Sequence, residues 1–195
     1  MKIILFFGSF NPIHIGHLII AQSLLNETGY DRVWLVVSPQ NPFKPAHSLL
    51  NEYERLYMCE LALKNHDRIL ASNVEFFLPR PSYTIDTLTH LTARYSTYHF
   101  AICMGEDNYL HFHKWKKAEI IQKYYPIFIY PRIKTSERSP TPTIKNGTTT
   151  FLDMPLLDIS SSYIRQLLKQ KKSIRFLVPD PVYEYIYAKN LYAYP

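Results

Sequence analysis

The chain has 195 residues, 47% of them hydrophobic, which is the usual size of a single domain with one sizeable core, so we expect one domain over residues 1–195. No apolar stretch reaches the roughly 18 to 20 residues that a bilayer-spanning helix needs, and the charges behind the net value of +6 are scattered, which argues against a membrane protein and against a nucleic-acid partner. The two cysteines, Cys59 and Cys103, belong to no metal-ligand or CxxC pattern, and they predict buried thiols in a soluble, cytoplasmic protein.

The N-terminal part of the chain alternates between strand and helix patterns. A continuous apolar run over 2–7 that stops at Gly8 predicts a strand buried on both faces. Apolar residues at helical spacing then predict a helix from His14 to a cap at Gly29. The next segments predict, in order, a strand over 32–37, a Pro- and Asn-rich loop over 38–46, a helix capped by Asn51 and running to about Lys64, and short strands at 69–71 and 74–78.

The C-terminal part continues this alternation. Its segments first predict a helix over about 85–95, a strand over 99–104 and a helix over 118–123. Strands at 127–130 and 151–152 follow, and a Ser-, Thr- and Pro-rich loop over 134–149 separates them. The last two predicted helices cover about 161–171 and 181–190. Such regular alternation predicts an α/β fold with a doubly wound parallel sheet and a small C-terminal helical part over about 159–195. Sheets of this kind bind ligands outside the carboxyl ends of their strands.

The most informative segment, GSFNPIHIGH, covers residues 8–17, where the first strand gives way to the first helix. Backbone N–H groups and the positive end of a helix meet at such a junction and favour phosphate binding. Gly8 and Gly16 let the backbone approach an anion closely, and His14 and His17 can both donate hydrogen bonds to phosphate oxygens. One histidine alone would be read as structural, but a pair framed by two glycines favours an anion site.

A second segment, ISSSYIR, covers residues 159–165 at the start of a predicted helix. One hydroxyl in this position normally caps the helix, but three in a row exceed that need. With Arg165 one turn further along, the same helix end presents hydroxyls, N–H groups and a guanidinium. This combination suits a polyphosphate better than a cap alone.

Together, GSFNPIHIGH and ISSSYIR resemble the paired signatures of the HxGH nucleotidyltransferase superfamily, GxFxPxHxGH and ISSTxIR, with Ser162 in place of the usual Thr. The middle of the chain resembles the nicotinate mononucleotide adenylyltransferase family in particular, through NPFK at 41–44, PSYTIDTL at 81–88, and GEDNYL at 105–110 followed by Phe112 and Trp115. The resemblance implies a Rossmann-like nucleotidyltransferase fold. It also implies transfer of AMP from ATP to nicotinate mononucleotide, giving nicotinate adenine dinucleotide and pyrophosphate in NAD biosynthesis.

The resemblance implies a set of catalytic and ATP-binding residues. His14, His17, Lys44 and Arg165 would be catalytic, with His17 stabilising the reacting α-phosphate and the two cations neutralising the pyrophosphate end. Asp107 would lie by the adenosine or the metal-bound phosphates, and it could also cap the helix that runs through Leu110, because the two roles are not exclusive. The implied ATP-binding residues are Gly8, Ser9, Phe10, His14, Gly16, His17, Gly105, Asp107, Ile159, Ser160, Ser161, Ser162 and Arg165.

A further set would bind nicotinate mononucleotide. Trp115 would stack on the pyridine ring, and backbone N–H groups around Thr84 and just after Trp115 would receive the carboxylate. The alternatives are a core or rim aromatic at Trp115 and a strand-to-helix turn, capped by Ser82 or Thr84, before the helix at 85–95. The implied residues are Asn41, Lys44, Ser82, Tyr83, Thr84, Trp115 and Lys116.

The implied chemistry needs little beyond charge neutralisation. The 5′-phosphate of the mononucleotide is already anionic, so no general base is required for its attack on the α-phosphorus. We expect Mg²⁺ held mainly by the phosphates of ATP, with no metal-binding cluster of protein residues. Two alternatives stay open: another HxGH adenylyltransferase, acting on nicotinamide mononucleotide or phosphopantetheine, and a non-catalytic nucleotide- or RNA-binding module. Homo-oligomerisation also stays open.

Overall fold

In a computed structural model that describes residues 1–40, 49–132, 144–146, 148–155 and 158–192, the chain forms a seven-stranded sheet flanked by helices. The strands are β1 (Lys2–Gly8), β2 (Arg32–Val37), β3 (Ile69–Ser72), β4 (His99–Gly105), β5 (Ile127–Tyr130), β6 (Ile144–Asn146) and β7 (Thr149–Phe151). The helices are α1 (Ile15–Thr28), α2 (Glu52–Leu63), α3 (Thr84–Arg94), α4 (Glu106–Tyr109), α5 (Ala118–Tyr124), α6 (Ser161–Lys169) and α7 (Asp180–Ala188). Two 3₁₀ helices cover Val74–Phe77 and Phe112–Lys114.

The strand order, β3-β2-β1-β4-β5-β7-β6, reverses direction between β1 and β4. From β1 the chain winds outward through β2 and β3, and it then returns to β4 and winds the other way. The carboxyl ends of β1 and β4 therefore border the crevice in which doubly wound sheets bind their ligands. Gly8 and Gly105 end these two strands, so both glycine-containing motifs lie at this crevice.

Two apolar cores, one on each face of the sheet, follow from the alternation of side chains along β1. Ile4 and Phe6 face the core that α1, α2, α6 and α7 cover, whereas Ile3 and Leu5 face the core that α3 and α5 cover. All four side chains are buried, as expected for a central strand of a parallel sheet. The doubly wound sheet predicted from the sequence is confirmed.

Helix termini also follow their local sequence signals. α1 ends at Gly29, whose φ of 64° places it in the left-handed region that glycine adopts without strain. Asn51 caps α2, because its side chain accepts a hydrogen bond from the backbone N–H of Tyr53 at 2.8 Å. Cys59 and Cys103 are buried free thiols, as predicted.

Three predictions about secondary structure were wrong. Residues 74–77 form a 3₁₀ helix instead of a strand, because turn hydrogen bonds such as Phe76 N–H to the Asn73 carbonyl (2.9 Å) carry Glu75 into the interior. Strand β7 begins at Thr149 and pairs antiparallel with β6, which lies within the segment predicted as loop. Asp107 is the second residue of α4, and Gly105 occupies the cap position.

No helix in the described ranges combines the length and the apolar character that crossing a membrane requires.

Candidate active site

Two cavities open at the carboxyl edge of the sheet and share one wall. The wide cavity, about 150 Å³ in volume, is lined by residues that include Gly8, Ser82, Thr84, Met104 and Trp115. The narrow cleft, about 30 Å³, is lined by residues that include His14, Gly16, His17, Arg132 and Ile159. Tyr130, the last residue of β5, lines both. The two spaces are thus neighbours of different size, which suits a reaction that joins two ligands.

The imidazoles of His14 and His17 form a stacked pair at the start of α1. Their ring centroids lie 3.6 Å apart with an interplanar angle of 24°. The backbone N–H of His14 donates to Nδ1 of His17 at 3.2 Å, so the neutral His17 ring carries its proton on Nε2. Phe6 and Phe10 make edge contacts with the same ring at centroid distances of 6.0 and 4.9 Å. His17 is therefore held in one tautomer and one orientation.

Burial keeps His14 uncharged at neutral pH. Its side chain is almost fully enclosed, and the burial, helped by the positive charge of Arg132, lowers the pKa of His14 from 6.5 to about 4. Nδ1 of His14 is buried without a hydrogen-bond partner in the described structure. A ligand oxygen or water in the cleft is the natural partner for such a group.

The loop between β1 and α1 is supported from beneath by donors that engage its carbonyl groups. Arg55, which is completely buried, donates to the carbonyl of Ser9 at 2.7 Å. Arg165 donates to the carbonyl of Asn11 at 2.7 Å, and the Ser161 hydroxyl donates to that of Pro12 at 2.9 Å. Carbonyl oxygens repel phosphate, so their engagement by side chains favours an anion above this loop.

Arg55 was not identified from the sequence, although its guanidinium donates four hydrogen bonds to backbone carbonyls. Besides Ser9 it donates to the carbonyls of Leu50 (2.9 Å), Ser38 (2.8 Å) and Pro39 (3.0 Å). The burial lowers the pKa of its guanidinium. One side chain thereby joins the loops that follow β1 and β2 to the start of α2.

The hydroxyls of the segment over 159–165 divide their roles. Ser160 is the N-cap of α6, and its Oγ accepts from the Tyr163 N–H at 3.2 Å. Ser161 ties the helix to the loop after β1, and Ser162 is exposed and accepts from Arg165 at 3.2 Å. The segment is thus brought beside GSFNPIHIGH, as the resemblance implies, with Ser161 and Arg165 linking the two.

The start of α3 forms one side of the wide cavity. The helix begins at Thr84 with Tyr83 as its N-cap residue, and the first N–H groups of a helix have no intrahelical acceptor. Trp115, partly buried, lines the same cavity and makes an edge contact with Phe112 at 5.5 Å. Lys116 also lies there, but its ammonium group is paired with Asp86 at 2.9 Å and lies 4.7 Å from the Tyr83 ring.

Glu75 is a second residue that sequence reasoning missed. It lines the wide cavity but is only 2% exposed, and it accepts hydrogen bonds from the hydroxyls of Ser82 (2.8 Å) and Thr87 (2.9 Å). Burial raises the pKa of its carboxyl, although the hydroxyl donors oppose that shift. The sequence signal that could have revealed it is a lone acidic residue between apolar ones, Val74 and Phe76.

Tyr130 forms the shared wall and Arg132 lines the narrow cleft beside it; neither was proposed from the sequence. Burial raises the pKa of Tyr130 to about 12, so the phenol remains protonated. Arg132 donates to the Tyr130 hydroxyl at 3.5 Å and lies 3.7 Å from the carboxylate of Asp107. A β-carbon on Gly105 would overlap the Asp107 carboxylate and press on the Tyr130 ring at 3.2 Å, so the glycine leaves room for both side chains where this wall meets β4.

Some residues implied by the resemblance lie elsewhere. The Phe10 side chain is 1% exposed and faces neither cavity; its ring occupies the space above Gly8, where a β-carbon would approach it to 2.7 Å. The Ser9 hydroxyl is buried without a described partner. Asn41 and Lys44 lie outside the described residues. Within the described ranges, no cluster of three or more His, Cys, Asp or Glu side chains could hold a metal ion.

Comparison with known proteins places this geometry in context. Residues 5–167 match the family described as cytidylyltransferase-like. The chain is 48% identical to the "Probable nicotinate-nucleotide adenylyltransferase" of Cytophaga hutchinsonii, with 99% of each chain covered. It is 43% identical to the protein of the same name from Flavobacterium psychrophilum, with 98% of this chain and 99% of the other covered.

A solved structure has the same fold. Plasmodium falciparum nicotinic acid mononucleotide adenylyltransferase, solved in complex with NaAD, superposes with a TM-score of 0.78 at 20% identity. The superposition covers 98% of this chain and 97% of the other.

Proposed function

Because the chain belongs to the cytidylyltransferase-like family, and within it to the nicotinate-nucleotide adenylyltransferases, we propose that it transfers the adenylyl group of ATP to nicotinate mononucleotide. The observation that carries this proposal is the pair of cavities that meet at Tyr130, one bordered by the stacked histidines and the other by Trp115 and the start of α3. Each has the chemistry for one substrate.

ATP would place its phosphates in the narrow cleft. His14, His17 and Arg132 line this space, and Arg165 contacts the loop that borders it. Helix α1 begins at this cleft, so the positive end of its dipole favours an anion there. Nε2–H of His17 would donate to an oxygen of the α-phosphate. Because the ring is fixed in advance by the His14 N–H and by Phe10, this donor needs no reorganisation when charge develops.

The mononucleotide would occupy the wide cavity, with its 5′-phosphate directed toward the shared wall. An oxygen of that phosphate attacks the α-phosphorus of ATP in line, a new P–O bond forms, and the bond to the β-phosphate breaks to release pyrophosphate. No proton has to be removed from the nucleophile. The protein therefore contributes positioning and charge stabilisation, which matches a site of imidazoles, guanidinium groups and N–H groups.

Magnesium fits this site as a companion of ATP. Since the described residues offer no cage of carboxylates, its ligands would be mainly phosphates and water, with Asp107, the partner of the cleft residue Arg132, as the available carboxylate. The ion would neutralise phosphate charge; the residues of the chain supply the orientation.

The preference for the acid over the amide would come from the start of α3. Its N–H groups and helix dipole favour a carboxylate, whereas the NH₂ of a carboxamide would direct a donor at a donor. Trp115 would stack on either ring and so would not discriminate. Loss of hydrogen bonds to two donors predicts a preference on the order of 10² to 10⁴ in kcat/KM.

The test is a competition between nicotinate and nicotinamide mononucleotides at equal concentration with ATP and Mg²⁺, read as the ratio of the two dinucleotide products. We expect the nicotinate product to dominate. A ratio near one would contradict the nicotinate assignment and leave adenylyl transfer intact. Turnover of phosphopantetheine in place of the mononucleotides would favour an adenylyltransferase that acts on that acceptor. The absence of pyrophosphate release with all three acceptors would favour a non-catalytic binding module.

A further inference from the structure

We propose that Glu75 is a positioning residue that sets the orientation of the start of α3, and with it the selectivity of the wide cavity for a carboxylate. The identity of the ligand rests on the proposed function; the role of Glu75 rests on its own contacts. Glu75 belongs to none of the sequence motifs that resemble the family.

Glu75 accepts hydrogen bonds from the hydroxyls of Ser82, Thr87 and Ser38, and the first two enclose the helix start from both sides. Oε2 accepts from Ser82, two residues before the first residue of α3, and Oε1 accepts from Thr87, the fourth residue of the helix. The segment between these anchors is 83–86, and the N–H groups of 83–85 are the donors proposed for the ligand, because the Asp86 N–H already donates to the Tyr83 carbonyl at 2.9 Å. A single carboxylate therefore fixes the segment at both ends.

The environment of Glu75 indicates that the residue serves its hydrogen bonds and does not merely fill space. It is 2% exposed, and no ion pair to it occurs among the described residues. A buried carboxylate without a cation is costly, and an apolar side chain of the same size would fill the space at lower cost. Ser82 and Thr87 are buried as well, so the group is a sealed polar cluster beneath the cavity wall.

The cluster also spares the N–H donors of the cavity. The carboxylate takes hydrogen bonds from the hydroxyls of Ser82 and Thr87, and neither of these bonds uses a backbone N–H of α3. Because the α3 N–H groups are not consumed by Glu75, they keep their capacity for an external anion. Loss of the cluster would free Ser82 and Thr87 to take other rotamers and would let the turn shift.

The experiment compares Glu75→Leu, Glu75→Gln and the wild type. Leucine removes both acceptors, so we expect the nicotinate-to-nicotinamide ratio of kcat/KM to fall by roughly tenfold or more and KM for the mononucleotide to rise, while KM for ATP changes less than about twofold. Glutamine keeps the shape and can bond both hydroxyls, since each hydroxyl also accepts, so the ratio should stay within about threefold of the wild type.

Glu54→Leu is the matched control. Glu54 also accepts a hydroxyl hydrogen bond, from Tyr185 at 2.6 Å, but it lies on α2 and does not line the cavity. We expect this variant to keep the wild-type ratio. A role in stability alone would lower the folded fraction of Glu75→Leu without moving the ratio, and that result would overturn the proposal.

A second variant protects the test against misfolding. If Glu75→Leu does not fold, as judged by circular dichroism, the double variant Ser82→Ala, Thr87→Val removes the same two bonds without burying a new group, and the same fall in ratio is expected. An unchanged ratio in the double variant overturns the inference. A wild-type ratio near one instead overturns the nicotinate assignment, and the positioning role is then decided by whether Glu75→Leu raises KM for the mononucleotide.

Discussion

Two turns at the carboxyl edge of the sheet are each held by one buried ionisable side chain, and the two side chains have opposite charge. Arg55 lies under the loop after β1 and donates to backbone carbonyls, whereas Glu75 lies under the turn before α3 and accepts from hydroxyls. Both are at most 2% exposed. Yet both loops face cavities that we propose bind anions.

The two buried side chains act on different groups of their loops. Arg55 removes carbonyl oxygens from contact with a ligand, and Glu75 organises hydroxyls, but neither bonds the N–H groups at the helix starts of α1 or α3. At the start of α1 the Ile15 N–H donates to the Leu177 carbonyl, and at the start of α3 the Asp86 N–H donates to the Tyr83 carbonyl. The donors left for an anion therefore include the N–H groups of Gly16 and Thr84. The sign of the buried charge matters less than which backbone groups it occupies.

The largest effect is expected at Arg55. Arg55→Met leaves four backbone carbonyls without their donor, and we expect a loss of roughly 3 to 5 kcal/mol in the free energy of unfolding, measured by urea denaturation. Arg68→Met is the control, because Arg68 also donates to carbonyls, those of Asp31 and Tyr30, but is exposed. Water replaces its bonds, so the loss there should stay below about 1 kcal/mol. Equal losses of unfolding free energy in Arg55→Met and Arg68→Met would show that burial does not increase the contribution of the Arg55 hydrogen bonds.

An effect of intermediate size is expected in the pH dependence of the unfolding free energy, and His14 is its source. The pKa of His14 is lowered from 6.5 to about 4 by burial and by Arg132, so the unfolded chain takes up a proton at a higher pH than the folded one. The contribution to stability is complete above about pH 6.5 and is lost as the pH falls toward 4, by up to about 3 kcal/mol. We expect His14→Gln to lose less stability than the wild type between pH 7 and pH 4.

The unfolding free energies of the wild type and His14→Gln are measured by denaturation at several pH values. Contributions that both proteins share, such as that of Glu75, cancel in the difference between the two. His113→Gln, at an exposed position, serves as the control and should follow the wild-type curve. If the wild type and His14→Gln lost stability in parallel, burial of a neutral imidazole at the start of α1 would be contradicted.

The smallest effect is expected at the second support of the β1–α1 loop. Ser161→Ala removes the donor to the Pro12 carbonyl and should cost about 1 kcal/mol in unfolding free energy. Ser162→Ala, one residue further and exposed, should cost about 0.5 kcal/mol or less. A larger loss of unfolding free energy in Ser162→Ala than in Ser161→Ala would show that hydrogen bonds to its carbonyls do not hold the β1–α1 loop. The loop would then differ from the turn that Glu75 supports.

Local signals were enough for much of this protein. The apolar runs placed β1, β2 and β5, Gly29 and Asn51 marked helix ends, and the order of strands and helices specified a doubly wound sheet. The paired segments at 8–17 and 159–165 indicated a phosphate site before any contact was known. These features depend on residues that are neighbours in the chain, and short-range periodicity and turn chemistry determine them.

The supports of the site were decided only by the tertiary structure. Arg55 lies in the pattern EYERLYMCEL, where a charged residue on a helix is normally solvated; it is buried because β1 and β2 bring the carbonyls of Ser9 and Ser38 to it. Glu75 likewise finds its hydroxyl partners 7 and 12 residues away, on the far side of the turn before α3. A charge is stable in an interior only when distant segments converge to satisfy it, and that convergence is a property of the fold and not of any segment.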